Sequence, residues 1–342
     1  MKPVIVAAAV LLALSLQTPR PTARSEALEV YFVDVEGGQA TLFVSPSGES
    51  MLVDAGYPGF DGRDANRIAA TARAAGVSQI DYMLVTHYHL DHVGGVPAIA
   101  AQLPIRNFVD HGASVETGDQ PSQLFSGYEA VRAKGKHLLV HPGDRVPIAG
   151  LDVRVVSANG DVLSSPLPGA GQPNPLCGSY SPKDPDPTEN ARSVGTLISF
   201  GSFRLLDLGD LTWNKEHDLV CPQNRIGTVD VYLTTHHGLA ISGAPVLVHA
   251  VKPRVAIMNN GAKKGGAAEA WSTVRSSPGL ADLWQLHYAV DAGSDHNVAA
   301  ELIANLDETT ANNIHLTAQR DGSFVVTNGR NNVTRSYGKG SH

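Results

Sequence analysis

Apolar and alternating runs of strand length recur along the chain after residue 27, separated by clusters of Gly, Pro, Asn and Asp. That pattern predicts many brief strands with fewer helices between them. Runs at 28–35, 41–45 and 50–54, parted by Gly37-Gly38 and by Pro46-Ser47-Gly48, read as an antiparallel meander. Helical spacing over 65–75 predicts a helix with Asp64 as its cap. A strand at 80–85, a helix at 96–102, a strand at 106–110, a helix at 122–133 and strands at 137–140 and 151–158 follow. The second half opens with paired strands at 193–200 and 203–208 around Gly201-Ser202, then a strand at 229–234. Helices at 244–251, 267–276 and 297–306 then alternate with strands at 255–259 and 282–288, before strands at 314–318 and 324–327.

Two segments break this rhythm. Residues 160–189 hold seven prolines and little apolar periodicity. They read as a long loop within one domain over 28–342, either a lid or substrate-contacting wall, or an inert surface loop. Residues 1–27 combine Lys2, a short apolar stretch from Val4 to Leu16 and small residues in Ser25-Glu26-Ala27, the pattern of a cleaved signal peptide. The apolar stretch is too short to cross a bilayer comfortably. An exported protein, periplasmic or secreted, is therefore expected, with an uncleaved anchor as the alternative.

Composition narrows the partners. Removing Lys2, Arg20, Arg24 and Glu26 from 26 basic and 33 acidic residues leaves 23 and 32, a net charge near −9, with no basic run. A chain that wraps long nucleic acid usually carries a basic face. A small-molecule or short oligomeric substrate is expected instead, and no oligomeric state is implied. An apolar content of 42% supports a sizeable core. Cys177 and Cys221 make an even count, so in an exported chain they are either a disulfide or two free thiols.

The candidate chemistry lies in Val85-Thr86-His87-Tyr88-His89-Leu90-Asp91-His92-Val93-Gly94-Gly95, directly after the apolar run Tyr82-Met83-Leu84-Val85. Alternate residues of an extended segment point the same way, so His87 and His89 can share one ion. Asp91 and His92 follow as the chain turns and can face a second, and Gly94-Gly95 free the backbone to turn into the next helix. Imidazole and carboxylate without thiolate favour Zn²⁺, two ions per chain, with Mn²⁺ or Fe²⁺ as substitutes. Asp54, at the end of an earlier strand, is either a hydrogen-bond partner of a ligating His or an ordinary turn carboxylate. His111, in Asp110-His111-Gly112, is either a cleft contact or a packing residue. His141 reads as structural, and His296 as the neighbour of a helix cap.

This stretch resembles the His-x-His-x-Asp-His signature of the metallo-β-lactamase superfamily. The resemblance implies a four-layer αββα sandwich with a two-metal hydrolytic site at one sheet edge. It also implies that Asp210, in Leu208-Gly209-Asp210, bridges the metals, and that Thr235-His236-His237-Gly238 supplies a further ligand. His236 is the preferred ligand, with His237 touching metal or substrate, and the reverse assignment stays open. Asn190 stands where the superfamily has a third histidine, and an amide binds zinc more weakly. Asp34-Val35 with Gly37-Gly38, Asn190, Ser193, Leu208-Gly209-Asp210 and His236-His237-Gly238 together are similar to the metallohydrolase domain of ComEC-type competence proteins. Glu36 and Gln39 depart from that pattern, and the channel-forming part of those proteins has no counterpart. Asn260 and His287 lie at later strand ends as candidate substrate contacts.

The expected mechanism is hydrolysis by metal-activated water, with His87, His89, Asp91, His92, Asp210 and His236 as ligands. Asp91 and His92 are the catalytic candidates, Asp91 orienting the nucleophile and accepting a proton. Hydrolysis of a phosphodiester or related phosphate ester is the first reading and of a β-lactam or lactone the second. A metal-binding protein with little catalysis is the third.

Overall fold

The computed structural model describes residues 26–340, so all but the end of the expected leader lies outside the described residues. Six strands come first: β1 (Leu28–Phe32), β2 (Thr41–Val44), β3 (Ser50–Val53), β4 (Ile80–Leu84), β5 (Ile105–Asp110) and β6 (Lys136–Leu139). The next nine form a second sheet: β7 (Arg145–Val146), β8 (Asp152–Ala158), β9 (Asp161–Val162), β10 (Gly195–Phe200), β11 (Phe203–Asp207), β12 (Val231–Leu233), β13 (Val255–Met258), β14 (Asp282–His287) and β15 (Ile303–Asn305). The chain then returns to the first sheet with β16 (Ile314–Ala318), β17 (Phe324–Asn328) and β18 (Thr334–Tyr337), where β16 pairs antiparallel with β1. The last three strands thereby extend the first sheet beyond β1.

Each sheet is part antiparallel and part parallel. In the first, β3 to β6 run parallel; in the second, β11 to β15 do. Parallel strands need crossovers, and those crossovers put helices on the outer faces. On the first sheet these are α1 (Arg63–Ala74), α2 (Leu90–Val93), α3 (Val96–Ala100) and α4 (Asp119–Arg132). Ile68, Ala69, Ala72, Val96, Ile99 and Tyr128 of these helices pack with Leu42, Leu52, Ile80 and Met83 of the strands. On the second sheet are α5 (Trp213–Val220), α6 (Pro245–Val251) and α7 (Ala268–Arg275), whose Leu219, Leu247, Val251 and Val274 pack with Leu206, Tyr232 and Ala256. Between the sheets lies a core of Phe32, Phe43, Phe200, Phe203, Leu205, Trp284 and Phe324 among others, contributed by both. Helix, sheet, sheet, helix is the layering that results, the four-layer mixed α/β sandwich expected from the sequence.

Three local expectations need correction. Segment 297–306 is not a helix: a 3-10 turn at Ala300–Leu302 runs into β15, which pairs with β14. Apolar positions at helical spacing are outweighed there by the open hydrogen-bonding edge of β14. His296 accordingly ends a 3-10 turn at Ser294–His296, with its Nδ1 3.1 Å from Ala292 O, and caps no α-helix. Asp64 does not cap α1; it lies inside the first turn, and its Oδ2 accepts a hydrogen bond from Tyr57 N–H at 2.8 Å.

Residues 160–189 hold the two residues of β9, a 3-10 turn at Pro175–Ser179 and the first residue of another at Glu189–Arg192, and they lie against α5 and α6. Leu163 and Leu167 are buried in the outer layer of the second sheet. Cys177 and Cys221 are joined by a disulfide across 44 residues, with Cα atoms 5.8 Å apart. Among the described residues no helix is long and apolar enough to cross a membrane.

Candidate metal centre

The candidate ligands sit just past the C-terminal ends of neighbouring parallel strands, the edge where open α/β sheets place ligands. Asp54 follows β3, His87 to His92 follow β4, Asp210 follows β11, and His236 and His237 follow β12. Backbone bonds lock these ends together: Val194 N to Thr86 O at 2.8 Å across the two sheets, and His236 N to Gly209 O at 3.0 Å within the second. Within the first sheet, Ala55 N donates to His92 O at 2.8 Å. Gly94 and Gly95 have ordinary helical φ of −61° and −78°, so freedom to turn is not what they supply. A Cβ at Gly95 would lie 1.9 Å from Ala55 O, and it is this close approach that requires glycine.

Asp91, His92, Asp210 and His237 each present a ligand atom within 4.8 Å of the others. His92 Nε2 and His237 Nε2 each lie 3.2 Å from Asp91 Oδ2. His92 Nε2 is also 3.2 Å from Asp210 Oδ2, and His237 Nε2 is 3.4 Å from Asp210 Oδ1. His236 Nε2 approaches the same Asp210 Oδ2 at 3.2 Å, and His87 Nε2 does so at 3.8 Å. Asp210 is thus the point on which both histidine groups converge. His236 and His237 both have φ of 55°, a conformation that costs non-glycine residues energy and clusters at functional sites. Two successive left-handed residues let both adjacent rings reach Asp210.

Hydrogen bonds set which ring nitrogen faces inward. Thr86 donates its N–H at 2.8 Å and its hydroxyl at 2.7 Å to Asp54, and His92 Nδ1 lies 2.7 Å from the same carboxylate. His92 therefore carries a proton on Nδ1 and turns Nε2 toward the cluster. With the Thr86 hydroxyl proton committed to Asp54, its oxygen accepts from His87 Nδ1 at 3.1 Å, which leaves His87 Nε2 bare. His89 Nε2 lies 3.2 Å from Glu116 Oε1, so His89 Nδ1 is bare and stands 3.1 Å from His87 Nε2. The Ser242 hydroxyl donates to Leu211 O at 2.8 Å and accepts from His236 Nδ1 at 3.3 Å, again freeing Nε2.

These groups fit a divalent cation. Lone pairs that face one another at about hydrogen-bond distance with no proton between them repel, and a shared cation removes that repulsion. Asp210 Oδ1 is buried without a hydrogen-bond partner among the described residues. Burial pushes the His87 and His236 rings down, His236 to about 4, so both are neutral bases. Burial also opposes charge on His92, but Asp210, Asp91 and Asp54 outweigh it and hold its pKa well above the usual value. His92, His237 and His236 overcome the burial of Asp210 and keep its carboxyl well below the usual carboxylate range. Three carboxylates around one buried ring attract positive charge, the demand that a metal satisfies.

Other sequence candidates lie elsewhere. His111 is buried with Nε2 3.0 Å from Glu189 Oε2. His287 is fully buried with Nε2 2.7 Å from Asp34 Oδ1, beside Glu36. Asn260 is fully buried and donates to His287 O at 2.8 Å and to Gly261 O at 2.9 Å. None of the three belongs to the Asp91, His92, Asp210 and His237 group; His287 instead forms a second set with Asp34 and Glu36, whose ligand atoms also lie within 4.8 Å of one another. Asn190 is held in a 3-10 turn at Glu189–Arg192, with Oδ1 buried and unpartnered. His141 pairs with Asp144 at 3.5 Å on the surface. Sequence reasoning missed Thr86, Glu116, Ser242 and Lys264, whose Nζ contacts Asp91 Oδ2. Thr86 sits inside the motif; the others carry no sequence signal because their roles arise from long-range packing.

Residues 33–200 match the family model of the Metallo-beta-lactamase superfamily. Among solved structures, the fold protein YhfI from Bacillus subtilis is 10% identical, with 75% of this chain and 96% of that chain covered at a TM-score of 0.48. Igni18, a metallo hydrolase from the archaeon Ignicoccus hospitalis, is 13% identical, with 75% and 94% covered at 0.41. CmlA, a diiron β-hydroxylase from Streptomyces venezuelae, is 17% identical, with 75% and 47% covered at 0.42. This chain spans about half the length of CmlA. No curated protein matches the chain.

Proposed function

We propose, with the metallo-β-lactamase superfamily match over residues 33–200 as premise, that this chain is an exported, metal-dependent hydrolase of phosphodiesters or related phosphate esters. The observation that carries the hydrolase reading is the convergence of Asp91, His92, His236 and His237 on the buried Asp210, with His87 and His89 alongside. A Zn²⁺ pair is the expected cofactor, since the donors are imidazole and carboxylate alone. His87 and His89 would hold one ion, Asp91, His92 and His237 the other, with Asp210 between them and His236 at its side. Bound divalent ions supply Lewis acidity, acidifying water and polarising a phosphoryl or carbonyl oxygen. The chain itself contributes orientation and proton handling. Asp54 fixes the His92 ring, Thr86 the His87 ring and Glu116 the His89 ring. Asp91, the most exposed carboxylate of the cluster, is placed to orient the nucleophile and take up its proton.

Phosphate esters are preferred because the similarity to ComEC-type metallohydrolase domains runs through Asp34, Asn190, Asp210 and His236-His237. A β-lactam or lactone substrate is the second reading, which export of the chain favours. The Cys177–Cys221 disulfide supports export, because such bonds persist mainly in oxidising compartments. The test is metal content and turnover of the purified protein lacking residues 1–27. Two metal ions per chain are expected, the one near Asn190 released first on dialysis against chelator, with chelator-sensitive hydrolysis of bis-p-nitrophenyl phosphate. Asp210→Ala should lose metal and about a thousandfold or more in kcat/KM. Turnover of a chromogenic cephalosporin or an acyl lactone in place of the diester would favour the second reading, and metal binding without turnover of any would leave only a metal-binding role.

A further inference from the structure

Residues 259–266, Asn259-Asn260-Gly261-Ala262-Lys263-Lys264-Gly265-Gly266, form a loop directly after β13 with two lysines between glycines. The loop is tied to the metal cluster through backbone. Gly266 N donates to His237 O at 2.9 Å, Ala267 N to Gly238 O at 2.8 Å, and Gly261 N to Lys264 O at 2.8 Å. Gly265 has φ of 74°, and a Cβ there would lie 2.1 Å from His237 O. Lys264 is therefore held in a fixed relation to a candidate ligand.

Its ammonium contacts Asp91 Oδ2 and lies 5.5 Å from the centre of the Tyr57 ring. On its other side Lys264 lines an open cleft of about 350 Å³ with Arg63, Arg67 and Lys263. Those three cations are neutralised locally, Arg63 by Asp64, Arg67 by Asp34 and Glu36, and Lys263 by Glu308. Lys264 is the one of the four paired with a carboxylate of the metal cluster. A cation that takes up the charge of Asp91 leaves the Lys264 ammonium free to hold an anion that enters from the cleft, while its side chain stays about one-third exposed.

We propose that Lys264 is a substrate-binding residue whose ammonium holds a non-bridging oxygen of the phosphate ester beside Asp91. This rests on the phosphate-ester reading above. It assigns to the lysine the recognition of the substrate's negative charge, apart from the binding of metal.

The test compares metal-loaded wild type, Lys264→Met and Lys264→Arg in three measurements: bound metal, calorimetric binding of inorganic phosphate, and KM and kcat for bis-p-nitrophenyl phosphate. Lys264→Met is expected to keep both metals, to weaken phosphate binding and to raise KM, each by about ten- to a hundredfold. Lys264→Arg should recover part of both losses. Unchanged phosphate affinity and KM in Lys264→Met, or loss of its metal, would overturn the assignment while leaving the phosphate-ester reading intact. A wild type that neither binds phosphate nor cleaves the diester would overturn the substrate reading first, and this one with it.

Discussion

Glu216 shows at the scale of one residue how burial changes a titration. Its side chain is fully buried in α5, where Oε1 accepts from Gly243 N–H at 2.9 Å and Oε2 from Ala244 N–H at 2.8 Å. Burial nonetheless pushes its pKa up from the usual 4.5 to about 7. The folded state then keeps a proton that the unfolded chain releases above about pH 4.5, so this group lowers stability as pH rises from about 4.5 to about 7. Below that window both states are protonated and the effect vanishes. Glu216→Gln should therefore gain stability relative to wild type across this window, by up to a few kcal/mol, measured as the pH dependence of the difference in urea unfolding. A difference that stays flat from pH 4.5 to 8 would show that Glu216 titrates as an ordinary carboxylate. Asp207 is a second case of the same kind: burial pushes its carboxyl up to about 6 although Gln39 Nε2 donates to both oxygens.

At the scale of elements, the site depends on short connections whose shape admits few side chains. The loop after β13 meets the His236-His237 turn backbone to backbone, and Gly265 is the point of closest approach. Gly265→Ala adds a methyl group where there is no room and imposes a φ that alanine disfavours, together about 1–3 kcal/mol or more. Because the clash falls on His237 O, the expected result is a lowered melting temperature together with weakened metal binding at the Asp91, His92 and His237 group. Full metal content at unchanged melting temperature would show that the loop adapts freely. The loop was only partly legible in the sequence: Asn259-Asn260-Gly261 marks a strand end, but nothing local tells that Lys264 turns back onto Asp91. The 297–306 segment failed for a related reason, since an apolar run at helical spacing also suits a short strand on an open parallel edge.

At the scale of the whole molecule, long-range closure does what no segment does alone. The Cys177–Cys221 bond pins the proline-rich loop to the end of α5 across 44 residues. Loop-closure entropy for that length corresponds to about 4 kcal/mol, of which about 2–4 is usually realised. Reduction, or Cys177→Ser with Cys221→Ser, should lower the free energy of unfolding by that amount in a urea titration, and an unchanged midpoint would mean that the loop is held by packing alone. The strand rhythm and the His87 to His92 spacing pointed to a mixed α/β chain and to four of the candidate ligands, because side-chain period and ligand chemistry are local properties of the chain, whereas the αββα layering and the candidates Asp210 and His236 came from the resemblance to the metallo-β-lactamase superfamily. Which ring nitrogen each histidine presents, how His236 and His237 divide around Asp210, and the arrival of Glu116 and Lys264 at the site were decided only by the tertiary structure. Those features depend on hydrogen bonds and close approaches between residues far apart in sequence, which exist only once the two sheets have packed face to face.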